Sequence, residues 1–209
     1  MEIWYLGFGS FRIKTQKDII ITDPYLVDLG PKMPSLEANL VTISRPDSLH
    51  NHYAVIKGQP FVISAPGEYE ISGINILGIP SYYENEPAKR SDNTIYLIHD
   101  EGIKIAHLGQ LNHPLAKTSL DQIDSPDILF LPLALEENSQ GLEVKYASQL
   151  ARQIEAKIII PLVLGGDTQP LLQAFLKDMG KETVIPVKKV VTTADKLPEE
   201  PQVVILDEA

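Results

Sequence analysis

The chain has 209 residues, 44% of them hydrophobic and 22% charged, which suits one domain with an ordinary core and excludes wholesale disorder. Eighteen Lys and Arg against 28 Asp and Glu leave a net charge of −10, which argues against a nucleic-acid partner, since affinity for a phosphate backbone comes from cations that displace counterions. The absence of Cys excludes thiol catalysis, thiolate metal ligation and disulfides, and fits a reducing compartment.

Residues 3–6 form a short apolar run closed by Gly7-Phe8-Gly9, residues 11–14 alternate, and Gln16-Lys17-Asp18 makes a turn. Ile19-Ile20-Ile21-Thr22 is β-branched throughout and is stopped by Asp23-Pro24, so the chain opens on a meander of strands. Residues 27–37, with Pro31 and Pro34, read as a loop, and residues 40–43 as a strand ended by Arg45-Pro46. Residues 61–63 make another short strand. Pro66-Gly67 turns, and residues 68–71 and 74–79 read as a hairpin around Ser72-Gly73. A second hairpin joins residues 94–99 and 103–107 around Asp100-Glu101-Gly102. Between the hairpins, residues 81–92 are polar, contain Pro87, and are expected to be an exposed loop.

After Gly109 the texture changes. Residues 114–123 look helical with Pro114 in the first turn, and residues 128–131 form an apolar strand. Val144, Ala147, Leu150, Ala151 and Ile154 recur at helical spacing, giving an amphipathic helix over 143–155. Ile158-Ile159-Ile160-Pro161 is a buried strand. A further helix spans 168–178, with Thr168 as cap, Pro170 in its first turn and Gly180 past its end. Residues 203–206 form a last strand. No repeat or linker interrupts residues 1–209, so a single α/β domain of two packed sheets with helices outside is expected.

The most apolar stretch, residues 158–164, is far shorter than the ~20 residues that cross a bilayer. The start, Met1-Glu2-Ile3-Trp4, lacks the basic flank of a secretory signal. The expected location is the cytoplasm, with no membrane partner.

Several segments, in order, resemble the metallo-β-lactamase superfamily, and within it the ascorbate-phosphate-lactonase-like branch of metal-dependent hydrolases. They are Leu6-Gly7-Phe8-Gly9-Ser10-Phe11, then Ile20-Ile21-Thr22-Asp23-Pro24-Tyr25, then Leu40-Val41-Thr42-Ile43-Ser44. Gly78-Ile79-Pro80-Ser81-Tyr82, Asn93-Thr94-Ile95-Tyr96 and Ala106-His107-Leu108-Gly109 follow. Ile128-Leu129-Phe130-Leu131-Pro132 and Lys157-Ile158-Ile159-Ile160-Pro161 complete the resemblance, which covers roughly residues 1 to 165. It implies a four-layered αββα sandwich.

The resemblance also implies metal ligands, and there the sequence departs from the family. At the positions of the family's His-x-His-x-Asp-His loop stand Arg45, Asp47, Leu49 and His50, of which only His50 is retained. The family's next His is Tyr83, its bridging Asp is Gln110, its last His falls near Val163, and the His of the opening turn is Phe8. A two-metal site needs about three protein ligands per ion. Leu49 and Val163 offer no lone pair, Arg45 brings a fixed positive charge, and Gln110 offers only a carbonyl oxygen. With ligands missing from every motif, the usual metal hydrolysis is not expected.

The remaining candidates carry a sharp and a bland reading each. In an extended segment His50 and His52 would point the same way, and Asp47, His50 and His52 could then hold one ion; the preferred reading makes them loop residues bonded to backbone or solvent. His107 is expected to turn away from the site if Gln110 faces it, and to be hydrogen-bonded and partly buried. His99 reads as a turn residue and His113 as a helix-start residue. The resemblance implies that Asp23 supports the metal loop from behind; otherwise it bonds backbone amides at a strand end, or forms an ion pair with Arg45. Tyr82-Tyr83 with Glu84 and Glu86 suggests a contact surface. Pro66-Gly67-Glu68-Tyr69-Glu70 reads as a turn and strand rather than a ligand rim. Gly165-Gly166-Asp167 before a helix is a weak anion cradle. No nucleophile elbow, phosphate loop or dinucleotide fingerprint is present.

The leading expectation is a non-catalytic pseudo-hydrolase that binds a small molecule or a protein partner, with cleft residues Asp23, Arg45, Asp47, His50, Tyr83 and Gln110 and no cofactor. The alternatives are a metal-dependent hydrolase of lactone or phosphoester type with one Zn or Mn ion at a rearranged mononuclear site, and a structural subunit of an oligomer, including a homo-oligomer.

Overall fold

A computed structural model describes residues 1–25, 35–47, 50–86, 89–134, 141–163 and 168–208. Two mixed sheets face each other, as expected for the αββα sandwich. The first is built on the meander β1 (Glu2–Gly7), β2 (Ser10–Lys14) and β3 (Ile19–Thr22), followed by β4 (Leu40–Thr42) and β5 (Phe61–Ile63). The second holds β6 (Gly67–Ile71), β7 (Ile74–Glu86), β8 (Lys89–Asp100), β9 (Ile103–His107), β10 (Ile128–Ala134), β11 (Leu142–Glu143) and β12 (Ile158–Val163). The short β13 (Val190–Val191) and β14 (Gln202–Val203) close one edge of each sheet, in the orders β13-β1-β2-β3-β4-β5 and β14-β12-β10-β9-β8-β7-β6.

The apolar patterning places these layers. In β10, Ile128 and Phe130 face the first sheet and pack with Ile3, Phe11, Ile13, Ile20 and Leu40. The alternate residues Leu129, Leu131 and Leu133 face the helices α1 (Lys117–Ile123), α2 (Val144–Ile154) and α3 (Thr168–Asp178). Burial on both faces explains why β10 and β12 read as continuous apolar runs, and both pair in parallel. The outer face of the first sheet packs Leu6, Ile21, Val41 and Ile43 against Tyr25, Leu36 and Ile56.

Three expected boundaries move. Residues 81–92 are not an exposed loop: β7 and β8 stay paired from Asn75↔His99 out to Glu86↔Lys89. The side chains there alternate, with Tyr83 buried beneath the ladder, but polar and aromatic residue types conceal that period. α1 starts at Lys117 rather than at Pro114; just upstream, Asn112 and His113 hydrogen-bond to the backbone of β7. The last strand is Gln202–Val203, with Leu206 in an isolated bridge to Val187. Most of the loop expected at 27–37, Leu49 and the Gly165-Gly166-Asp167 cradle lie outside the described residues, and so does the side chain of Thr168, the expected cap. No helix among the described residues is long and apolar enough to cross a membrane.

Candidate functional site

At one end of the sandwich, β3, β4 and β9 stop together and their terminal polar residues face one another. Asp23 follows β3 in a left-handed conformation (φ 43°) and is 1% exposed. A non-glycine residue held there costs energy and persists only where its surroundings demand it. Here the demand is visible. Its amide donates to the Thr42 carbonyl at 2.8 Å. Its carboxylate accepts from the Ser44 amide and the Ser44 hydroxyl, both at 2.6 Å. Asp23 therefore fixes the start of the loop after β4 from behind.

That loop is paired within itself. Arg45 lies 3.0 Å from Asp47, and Asp47 also contacts His50 Nδ1 at 2.5 Å. Of the alternatives for Asp23, the bond to a backbone amide is formed and the ion pair with Arg45 is not, because Ser44 already occupies the Asp23 oxygens and Asp47 reaches Arg45 from two residues away. The guanidinium also sits over the Tyr83 ring, 4.3 Å from its centroid, an arrangement that Arg's planar, weakly hydrated cation favours. Arg45, His50 and Tyr83 are thus drawn into one closed cluster; His50 and Tyr83 are buried.

His52 does not join it. The amides of His50 and Asn51 both donate to the Asp47 carbonyl, so the segment turns instead of extending, and the premise that His50 and His52 share a face fails. His50 is buried, whereas His52 is partly exposed ahead of a short 3-10 turn, Tyr53–Val55. Among the described residues no group of three or more His, Asp or Glu is arranged to hold a metal ion.

His107 corrects a second expectation. It continues the inward series of Ile103 and Ile105 and faces the other sheet, with Nε2 3.9 Å from Asp23 Oδ2. Phe11 and Phe130 meet its ring edge-on, with centroids 6.2 and 5.8 Å away. Neither ring nitrogen has a hydrogen-bond partner among the described residues. Alternation counted from Gln110 misplaced it because the strand ends at His107, and Gly109 (φ 61°) turns the chain before Gln110. Burial pushes the His107 pKa down, against the opposing pull of Asp23 and the nearby Gly9 backbone.

Gln110 is also buried. Its amide donates to Asn93 Oδ1 at 2.9 Å, and Asn93 Nδ2 donates to the Leu108 carbonyl at 3.1 Å. Its own Oε1 has no partner among the described residues. Only glycine fits at 109, since a Cβ there would lie 2.5 Å from Asn93 Oδ1 and 2.7 Å from Ser44 Cβ. Tyr96 ties the two sheets beside this point, its hydroxyl donating to the Ile43 and Ile63 carbonyls at 3.0 and 3.3 Å. Burial and the Asp23 charge push the Tyr96 phenol well above its ordinary value.

Ser44, Asn93 and Thr42 are members of the cluster that sequence reasoning did not select as site residues. Their only signal was their position at strand ends inside the resembling segments. Thr42 Oγ1 and Arg45 Nε, like Gln110 Oε1 and the His107 nitrogens, are buried without a partner among the described residues. The five described clefts, of about 190 to 460 Å³, have walls elsewhere and include none of Asp47, His50, Tyr83 or Gln110.

Comparison with known proteins fits this geometry. Residues 2–163 match the family model described as a beta-lactamase superfamily domain. The chain belongs to the beta-lactamase superfamily. A presumed Zn-dependent hydrolase of the metallo-β-lactamase superfamily from Thermotoga maritima is 26% identical, with a TM-score of 0.79 over 98% of this chain and 97% of that one. A presumed metal-dependent hydrolase from Parabacteroides distasonis is 19% identical, with a TM-score of 0.68 over 86% and 90% of the two chains. An isothiocyanate hydrolase from Delia radicum gut bacteria is 11% identical, with a TM-score of 0.67 over 93% and 100%. No curated protein matches the sequence.

The residues of this superfamily member do not fit a two-metal centre. Where the resemblance implies the metal loop stands a guanidinium paired with Asp47, where it implies an imidazole stands the Tyr83 ring, and Val163 ends β12 without a donor atom. Electrostatically, one fixed monovalent cation occupies the loop where two divalent ions would require several neutral or anionic donors.

Proposed function

We propose that this protein is a non-catalytic pseudo-hydrolase that retains the superfamily scaffold and holds a small polar ligand at the polar cluster beneath the β7–β8 hairpin. The observation that carries this reading is Arg45, stacked on Tyr83 and paired with Asp47 within the metal loop. A side chain so engaged blocks the place of an ion and neutralises the carboxylate nearest to it. The ligand reading is supported by Thr42 Oγ1, Arg45 Nε, His107 and Gln110 Oε1. Each unpaired buried group costs about 1–3 kcal/mol, so a polar guest that bonds several of them gains free energy.

The test is thermal unfolding with and without excess Zn²⁺ or Mn²⁺. An ion that binds only the folded state stabilises by mass action, about 2.7 kcal/mol at a hundred times its dissociation constant. The reading expects no rise in Tm. A concentration-dependent rise that disappears in His50→Ala would contradict it.

A second reading, a metal-dependent hydrolase with one ion, draws on the Thermotoga maritima relative and on the unused imidazole of His107 near Asp23. It requires that ion binding be lost in His107→Ala, which the same measurement reads.

A further inference from the structure

The outer face of the first sheet is covered unevenly. Toward β4, Ile21 and Val41 pack against Tyr25, Leu36 and Ile56. Toward β1 and β2, Ile3 and Ile13 turn inward to the second sheet, so the alternate residues Glu2, Trp4, Arg12 and Lys14 turn outward, and none of these four is buried. Trp4 stands directly across the strands from Arg12.

Two cations rest on the Trp4 ring. The Arg12 guanidinium lies 4.5 Å from its centroid and Lys189 Nζ lies 5.1 Å from it. Lys189 is neutralised by Glu2, at 2.5 Å. Arg12 is not neutralised: beyond the ring contact it makes no hydrogen bond or ion pair among the described residues. In a chain with ten more carboxylates than Lys and Arg, this guanidinium is left with its fork of N–H donors unused. A guanidinium is weakly hydrated and one face of this one is already on the indole, so an incoming anion displaces little water from it.

Beside the stack lies a cleft of about 320 Å³, lined by Trp4, Leu6, Arg12, Ile19, Leu36 and Glu37 among others. That volume is at the lower end for small-molecule sites, and an apolar lining with a few polar groups is their usual chemistry. The three aliphatic side chains and the indole suit an apolar body. The Arg12 fork suits a planar carboxylate, which can take two parallel bonds from it. Glu37, across the same cleft, disfavours a second negative charge.

We propose that this cleft binds a small amphiphilic monocarboxylate, with its apolar body on Leu6, Ile19 and Leu36 beside Trp4 and its carboxylate on Arg12. The cleft shares no residue with the Asp23–Arg45 cluster, and the inference does not depend on the function proposed above.

Trp4 is the only tryptophan of the chain, so its fluorescence reports this site alone. The full chain is titrated with octanoate, with uncharged octanamide and with octylammonium, which share one apolar body and differ in charge. Octanoate should give a saturable change in Trp4 emission and bind at least roughly tenfold more tightly than octanamide, the scale of a charge-assisted bond. Octylammonium should bind more weakly than either. In Arg12→Gln, which keeps the reporter, the preference for octanoate over octanamide should vanish. No saturable change with octanoate up to about 10 mM, equal binding of the three probes, tighter binding of octylammonium, or an unchanged preference in Arg12→Gln would each overturn the site. Should Arg12→Gln fail to fold, proton NOEs in the wild type decide instead: contacts from octanoate to the Trp4 indole support the site, and contacts to other residues alone overturn it.

Discussion

Arg45 shows how one substitution can rewrite a site. Its cation pairs with Asp47 and lies on the Tyr83 face, so its removal leaves a half-buried carboxylate and an uncovered ring. Arg45→Ala should lower stability by about 2 kcal/mol, read from urea midpoints, and Arg45→Lys should recover only part, since an ammonium lacks the planar stack. His107 makes a second prediction at this scale. Its folded pKa lies below the unfolded value of about 6.5. Below 6.5 the unfolded chain therefore binds the extra proton, and stability falls as pH drops from about 7 toward 5, by at most ~1.4 kcal/mol per unit. Urea midpoints at these two values should differ less in His107→Gln than in the wild type; an unchanged difference would show that another group supplies the slope.

The residue-scale chemistry was only partly legible in the sequence. The absence of ligands at 45, 83 and 110 can be read from residue types alone, as lone pairs are a property of composition. The partners cannot. Arg45 had two nearby carboxylates to choose from, and only the fold shows that Ser44 had already claimed Asp23.

At the scale of elements, Gly109 is the joint between β9 and the site. Gly109→Ala meets both a left-handed backbone and contacts of 2.5 to 2.9 Å with Asn93 and Ser44, so it should cost at least ~2 kcal/mol and disturb Gln110. A loss below ~0.5 kcal/mol in urea unfolding would mean that the contact relaxes freely. The same glycine explains why alternation failed for His107: period-two reasoning holds only while the strand lasts. The outer length of the β7–β8 hairpin was missed for a related reason. Tyr82 and Tyr83 point to opposite faces, yet both are aromatic, so the period is invisible to a polar–apolar reading. The strands β10 and β12 were the most legible, because burial on both faces demands an unbroken apolar run.

At the scale of the whole molecule, the apolar interior between the sheets and the layer beneath the helices have no need of a metal. The superfamily resemblance reached the fold because it rests on residues spread over the chain, Asp23, Ser44 and Gly109 just past strand ends and Asn93 within β8 among them, and these same residues build the cluster. On the function proposed above, they hold together a set of side chains that does not fit metals. The central claim is therefore about stoichiometry, and elemental mass spectrometry of protein purified without chelator or affinity tag tests it most directly, before and after incubation with excess Zn²⁺ and Mn²⁺. The account predicts clearly sub-stoichiometric metal in both samples. One ion per chain, lost in His50→Ala or His107→Ala, would contradict it.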